Sequence, residues 1–178
     1  MRIIFFSLIS ILLSQTSLGE VSLPAAIMAN QQALVQQGTC EGRWQELADV
    51  LGVQRHSLDE HSEVLFVPCA NWSGFNVAWV IYAKIDEPSR ADGAIVKPQL
   101  FVNYKPNQRV MADNVVYNVQ WDDDEQAILA EYHRKTTGDC GTRAAYKWNS
   151  SQQAFVSIAL AVRNECAPDG EGWEFLIH

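Results

Sequence analysis

The chain has 178 residues, with 21 acidic against 13 basic residues and a formal net charge of -8. Hydrophobic residues make up 48% of it, enough for a sizeable core, and the charged fraction of 19% is too low for a disordered chain. Binding to phosphates needs clustered lysine and arginine, so this balance argues against a nucleic-acid partner and against an anionic membrane surface. A basic protein partner is compatible with it.

The first 19 residues have the pattern of a secretory signal peptide. Arg2 gives a positive start, and an almost entirely apolar run follows from Ile3 to Leu13. Small residues, Ser17 and Gly19, stand where a signal peptidase reads, so cleavage is expected after Gly19. The run is shorter than the roughly 20 residues of a spanning helix, and an uncleaved N-terminal anchor is the alternative. We therefore expect a mature chain of residues 20–178, periplasmic or secreted and without a membrane span.

The four cysteines are expected to form two disulfides. An even number of cysteines in an exported chain implies cross-links, and four cysteines allow three pairings. We favour Cys40–Cys69 and Cys140–Cys166, because each bridge then closes a local loop of under thirty residues. A zinc site is the alternative, but the sequence contains no C-x-x-C pair.

Residues 20–52 are predicted to be helical, with two helices between residues 22 and 51. Ser22 can cap the first helix, Pro24 suits its first turn, and Gly38 can end it. The second is predicted to have Thr39 as its N-cap and Gly52 as its stop, because apolar residues recur at helical spacing between them: Trp44, Leu47, Ala48 and Leu51.

From about residue 62 the hydrophobic period changes to two, which is typical of strands. Strands are predicted at 64–67, 75–85, 95–104, 115–121, 127–135, 142–148, 154–163 and 173–177. Both faces of the 75–85 strand are apolar, so it is expected to be central, whereas Pro98 places part of its strand at an edge or bulge. The predicted fold class is α+β: a mainly antiparallel meander with one or two N-terminal helices, stapled by disulfides. We expect one domain over 20–178, β-rich from 62 to 178.

A motif in the second half resembles a known family. The sequence GDCG at 138–141, then Trp148, Phe155 and Cys166, has the spacing GDCG-x6-W-x6-F-x10-C. This resembles the C-terminal signature of domain-of-unknown-function family 1176, exported bacterial proteins without an established activity. The segment PCANWSGFN at 68–76 is similar to an earlier family element, whereas TCEGRW at 39–44 departs from the family's opening motif. The resemblance implies a periplasmic or secreted disulfide protein and brings no catalytic residues.

No nucleophile elbow, P-loop or dinucleotide fingerprint occurs in the sequence, so no catalytic residue is assigned and no cofactor is predicted. Whether the chain is an enzyme is left open, and a non-catalytic protein is favoured. The segment HSLDEHSE at 56–63 places His56 and His61 five apart, which favours a solvated loop over a metal site. Asp122, Asp123 and Asp124 are weak candidates for binding Ca²⁺. Their run lacks the D-x-D-x-D-G spacing, and a turn between strands already explains it.

The tryptophans offer one candidate binding position. Trp72, in the predicted loop Asn71-Trp72-Ser73-Gly74, is either a packing lid or a contact residue, and we take Trp72 and Asn71 as candidate binding residues. The remaining ones on apolar faces are expected in the core: Trp44, Trp79, Trp121 and Trp148.

Three functions are compatible with these features. The first is an exported, non-catalytic binding protein of the inhibitor or immunity type, which recognises a basic envelope or foreign protein. The second is a glycan- or peptidoglycan-binding module that uses loop aromatics such as Trp72. The third is an acid-dependent hydrolase, in which two carboxylates would have to face each other across a cleft.

Overall fold

The computed structural model describes residues 23–71, 73, 75–104, 110–134, 140–166 and 172–177. The signal-peptide prediction falls outside these ranges. The helices are α1 Ala25–Gln36 and α2 Trp44–Leu51. The strands within the described ranges are β1 Gln54–Asp59, β2 Ser62–Asn71, β3 Val77–Asp86, β4 Ala94–Pro98, β5 Phe101–Tyr104, β6 Val110–Asp113, β7 Val115–Tyr117, β8 Gln120–Asp122, β9 Ala127–His133, β10 Gly141–Asn149, β11 Ala154–Arg163 and β12 Glu174–Ile177.

The two predicted helices are present, and one boundary is corrected. Pro24 is the N-cap of α1, and the predicted cap Ser22 lies outside the described residues. Gly38 follows α1 with φ +73°, and Gly52 follows α2 with φ +79°, so both stops are confirmed. The predicted N-cap Thr39 is wrong, because α2 begins only at Trp44. The intervening connector is held against β2 instead: the backbone N–H of Glu41 donates to the carbonyl oxygen of Cys69 at 2.9 Å.

The first sheet has the order β1-β2-β3-β4, with β7 also paired to β3, and all pairs are antiparallel. Strand β3 is central and buried on both faces, as predicted, and Pro98 ends the edge strand β4. The predicted strand at 95–104 is in fact two strands, β4 and β5. Strand β1 was not predicted, because its sequence QRHSLD is mostly polar, which suits an edge strand with one neighbour.

The second sheet has the order β12-β11-β10-β9-β8. Trp148 lies opposite Phe155 across β10 and β11, with ring centroids 5.2 Å apart. The predicted strand at 115–121 is corrected: β7 belongs to the first sheet and β8 to the second. Asn118, with φ +44°, lies between them and turns the chain from one sheet to the other.

Packing in three layers produces two cores. The helices cover one face of the first sheet, where Ile27 and Trp44 pack against residues such as Val67 and Tyr82. The opposite face packs against the second sheet, and we call these two sheets the sandwich. The inter-sheet core is rich in aromatic rings: Phe66, Trp79, Phe101, Tyr146 and Phe155. Trp44 and Trp79 are buried, whereas Trp121 and Trp148 are partly buried against this core.

Both predicted disulfides are present. Cys40 is bonded to Cys69 with Cα atoms 4.8 Å apart, and Cys140 to Cys166 with Cα atoms 4.7 Å apart. The second bridge joins the ends of the neighbouring strands β10 and β11. Two disulfides are typical of proteins outside the reducing cytosol. Within the described ranges, no helix has the length and apolar character needed to cross a membrane.

Candidate functional site at the turn end

Four hairpin turns meet at one end of the sandwich, which we call the turn end: β1–β2, β3–β4, β8–β9 and β10–β11. The N–H of Asp86 donates to the carbonyl oxygen of His61 at 2.7 Å and joins the first two turns. Nε2 of Gln126 donates to the carbonyl oxygen of Leu58 at 2.6 Å, which brings the third turn to the first. The N–H of Trp148 donates to the carbonyl oxygen of Gln126 at 3.3 Å and brings in the fourth.

The turn end is the acidic part of the molecule. Of the 21 acidic residues in the chain, ten lie there: Asp59, Glu60, Glu63, Asp86, Glu87, Asp92, Asp122, Asp123, Asp124 and Glu125. Five basic residues accompany them: Arg55, Lys84, Arg90, Lys97 and Lys147. An excess of five negative charges is therefore concentrated on one end, and like charges at this density attract cations and basic groups.

Two open clefts flank the β1–β2 turn. The first, about 360 Å³, lies beside β1 and includes Arg55, Ser57, Glu63, Lys84 and Asp86 in its lining. The second, about 440 Å³, separates the β1–β2 turn from the β10–β11 turn and is lined in part by Trp148, Ser150 and Gln153. Asp59, Glu60 and His61 line both clefts, so the β1–β2 turn forms a ridge between them.

The carboxylates of the first cleft are arranged for charge pairing rather than proton transfer. Oε1 of Glu63 accepts from Nζ of Lys84 at 2.9 Å and from Arg55 at 3.4 Å. The nearby Ser62 side chain and the backbone N–H of His61, which donates to Oδ1 of Asp59 at 2.8 Å, hold the pKa of Asp59 below its usual value. A carboxyl group with a lowered pKa is a poor general acid, so this geometry does not favour the hydrolase hypothesis.

The aspartates of the β8–β9 turn accept hydrogen bonds from neighbouring residues of the chain. Oδ1 of Asp122 accepts from the N–H groups of Asp124 at 3.1 Å and Glu125 at 3.0 Å, which is how an aspartate shapes a tight turn. Oδ1 of Asp123 accepts from Nε1 of Trp121 at 2.6 Å. Within the described ranges, no group of three or more histidine, cysteine, aspartate or glutamate side chains is placed to hold a metal ion.

His56 links the two sheets beside the turn end. Its ring stacks on Trp121 of β8, with centroids 5.1 Å apart and planes at 22°, and also contacts Phe66 of β2. Nε2 of His56 is buried and has no hydrogen-bond partner. Burial lowers the pKa of His56 below its ordinary value of 6.5, although the charge of Asp123 acts in the opposite direction. His56 is therefore an uncharged inter-sheet packing group near pH 7, not the loop residue that the sequence suggested.

We expect acidification to destabilise the fold through His56. Because its pKa is lowered in the folded state, the unfolded chain binds more protons, so stability is full above about pH 6.5 and is lost as the pH falls through the folded-state pKa. His56→Phe keeps an aromatic ring between Phe66 and Trp121 but cannot titrate. Urea midpoints measured from pH 7.5 to 5 should fall less in the variant than in the wild-type protein. Parallel curves would contradict this role.

The two binding residues predicted from sequence do not belong to the turn end. Asn71 is exposed at the last position of β2, at the opposite end of that strand from Ser62. Its backbone N–H donates to Oε1 of Glu41 at 3.0 Å. Trp72 lies outside the described residues, so its role as a binding residue stays a prediction.

The opposite end of the sandwich, which we call the far end, carries a hydrogen-bond network that sequence analysis missed. Asn76 is 4% exposed; its Nδ2 donates to the carbonyl oxygen of His133 at 2.6 Å, and its Oδ1 accepts from the N–H of His133 at 2.9 Å. Nδ2 of Asn118 lies within hydrogen-bonding distance of the Asn76 side chain and of the carbonyl oxygens of Phe75 and Glu131. Two asparagines thus join the two sheets at this end, and nothing in their sequence context distinguishes them from turn residues.

The chain matches no protein-family model, no curated protein and no solved structure. Function is therefore argued from the geometry of the turn end alone.

Proposed function

We propose that the chain is an exported, non-catalytic binding protein, periplasmic or secreted, whose turn end recognises a basic protein. The observation that carries this proposal is the convergence of four hairpin turns with an excess of five negative charges on one end of a disulfide-stapled sandwich. An inhibitor or immunity-type protein fits this arrangement, since it presents a rigid charged surface and needs no reactive group.

The shape of the turn end supports recognition of side chains that protrude from a partner protein. The β1–β2 turn projects as a ridge between two open clefts, and each cleft exposes carboxylates on its walls. An arginine or lysine side chain that entered either cleft would meet Asp59 and Glu60 from the ridge. Such charged groups chiefly accelerate association and exclude wrong partners, and their contribution falls as the salt concentration rises.

Charge-neutralising variants test the proposal. We expect the triple variant Glu60→Gln, Asp86→Asn, Asp124→Asn to bind a basic partner about tenfold more weakly at low salt, because each exposed charge contributes up to about 1 kcal/mol. A pull-down from an envelope extract provides the partner, and titration of the purified partner gives the affinity. Lysozyme, with an inhibition assay, is the basic reference protein.

A second triple variant controls for net charge. Glu46→Gln, Asp49→Asn and Glu174→Gln remove three exposed acids from α2 and β12, away from the turn end. The control should keep the wild-type affinity. Equal losses in both triple variants would mean that net charge, not the turn end, drives association, and failure of any basic protein to bind would overturn the proposed function.

A further inference from the structure

The two clefts of the turn end differ in the charges that line them. The first cleft contains its own cations: Nζ of Lys84 and Nη1 of Arg55 lie 2.9 and 3.4 Å from Oε1 of Glu63. The residues that line the second cleft include Asp59 and Glu60 but no lysine or arginine. Among the described residues, no lysine or arginine forms an ion pair with either of these carboxylates. The second cleft therefore has carboxylates available to an incoming cation.

An aromatic ring lines the same cleft. Trp148, near the end of β10, is half-buried, and its Nε1 atom is buried without a hydrogen-bond partner. The part of the indole that remains exposed is therefore ring carbon, not the polar N–H. The ring packs against Phe155 with centroids 5.2 Å apart, and Phe155 is itself buried in the inter-sheet core. The core thus holds the indole in a fixed position at the edge of the second cleft.

The remaining lining of the second cleft is mostly uncharged. Ser150 and Gln153 come from the β10–β11 turn, and Ile85 comes from β3. Oε1 of Gln153 accepts from Nζ of Lys97 at 3.1 Å, so this amino group at the margin of the cleft is bound to an amide and not to a carboxylate. Acceptor oxygens, apolar carbon and two carboxylates free of ion pairs therefore line one cleft.

On the basis of the proposed function, we propose that the second cleft binds an arginine side chain of the basic partner in preference to a lysine. A guanidinium group is planar, carries several N–H donors and is more weakly hydrated than an ammonium group, so it can stack on an aromatic ring and bond to a carboxylate at once. Asp59 and Glu60 supply carboxylates from the ridge, and Trp148 supplies ring carbon from the β10–β11 side. A lysine would gain the same charge attraction but less from the ring.

The first cleft lacks this combination. No tryptophan, tyrosine or phenylalanine is among the residues that line it, and a cation that entered it would compete with Lys84 and Arg55 for Glu63. We therefore expect selectivity for arginine to come from the second cleft, whereas the first cleft attracts basic side chains by charge alone. This difference makes the first cleft an internal control for the second.

Two capped peptides of equal charge, hexaarginine and hexalysine, test this selectivity. The wild-type protein should bind hexaarginine about fivefold more tightly at low salt, which is the size of one exposed cation–π contact. The titrations are run at pH 8, because the lining also includes His61 and an uncharged imidazole does not compete with the peptide. In a ¹H–¹⁵N spectrum the indole N–H signal of Trp148, identified by its loss in Trp148→Phe, should shift with hexaarginine.

Ser150→Lys and Ser57→Lys are matched variants. Each adds one ammonium group at an exposed position, Ser150→Lys in the second cleft and Ser57→Lys in the first. Ser150→Lys should abolish the preference for arginine, whereas Ser57→Lys should weaken the binding of both peptides equally and keep the preference. Circular dichroism shows whether each variant is folded.

The outcomes separate the arginine site from the proposed function. Equal affinities of the wild-type protein for the two peptides, or a preference that survives Ser150→Lys, would overturn the arginine site and leave the acidic turn end as a binding surface. Failure of both peptides to bind at about 1 mM would also overturn the site, and the proposed function falls with it only if no basic protein binds either.

Discussion

Asn76→Ala is expected to lower the free energy of unfolding by about 3 kcal/mol, because it leaves the backbone N–H and carbonyl of His133 without their side-chain partner in a buried position. The effect should exceed that of an ordinary lost hydrogen bond, since the amide of Asn118 also loses its contact with Oδ1 of Asn76. Urea denaturation at pH 7.5, followed by tryptophan fluorescence, measures it.

An exposed asparagine provides the comparison. Asn164 is exposed just after β11, and Asn164→Ala should change the free energy of unfolding by less than about 0.5 kcal/mol. Equal effects at Asn76 and Asn164 would show that the network does not hold the sheets together. Asn76→Asp should also destabilise the protein, because the second carboxylate oxygen cannot donate to the His133 carbonyl as the amide does.

Gly141→Ala is expected to destabilise the protein by about 3 kcal/mol. Gly141 has φ +148°, and a Cβ atom there would overlap the carbonyl oxygen of Tyr132 on the neighbouring strand β9. Gly141 pairs with His133 in the sheet, and its neighbour Cys140 is bonded to Cys166, so the backbone has little freedom to move away. Thermal and urea denaturation measure the loss.

Gly52→Ala separates backbone strain from the steric overlap. Gly52 also has a positive φ, +79°, but a Cβ atom there would meet nothing within 4 Å. This substitution should cost only about 1 kcal/mol, from the positive φ alone. If Gly141→Ala were no more costly than Gly52→Ala, the close approach of β9 and β10 would not be a constraint on the fold.

Much of the fold is predictable because its strongest signals are local. The 75–85 segment is apolar on both faces, and this alone places it at the centre of a sheet. Strand β1 could not be predicted in the same way. It is an edge strand that pairs with a single neighbouring strand, and its mostly polar residues give no apolar pattern. The strand predicted at 115–121 was wrong because its alternation continues through Asn118, whose positive φ depends on hydrogen bonds to residues far away in sequence.

The turns and acidic residues of the turn end could be predicted from the sequence, but their convergence could not. Acidic runs and turns are visible in the sequence, including the one at 122–125 that suggested weak calcium ligands. Their convergence is not visible, because it depends on which strands pair and on where the chain passes from one sheet to the other at Asn118. The β1–β2 ridge between the clefts is not predicted from the sequence, because HSLDEHSE at 56–63 has the polar composition of a solvated loop and gives no sign of strand β1.

Both disulfides of the sandwich lie at the far end, together with the Asn76–Asn118 network. The hairpin loops opposite them are fastened mainly by short-range bonds within or between neighbouring loops. Mutations and insertions in those loops should thus cost little folding energy, and diversity can accumulate there while the frame stays constant. We therefore expect substitutions in the turn loops to change the charge and shape of that end while the cross-linked far end stays unaltered.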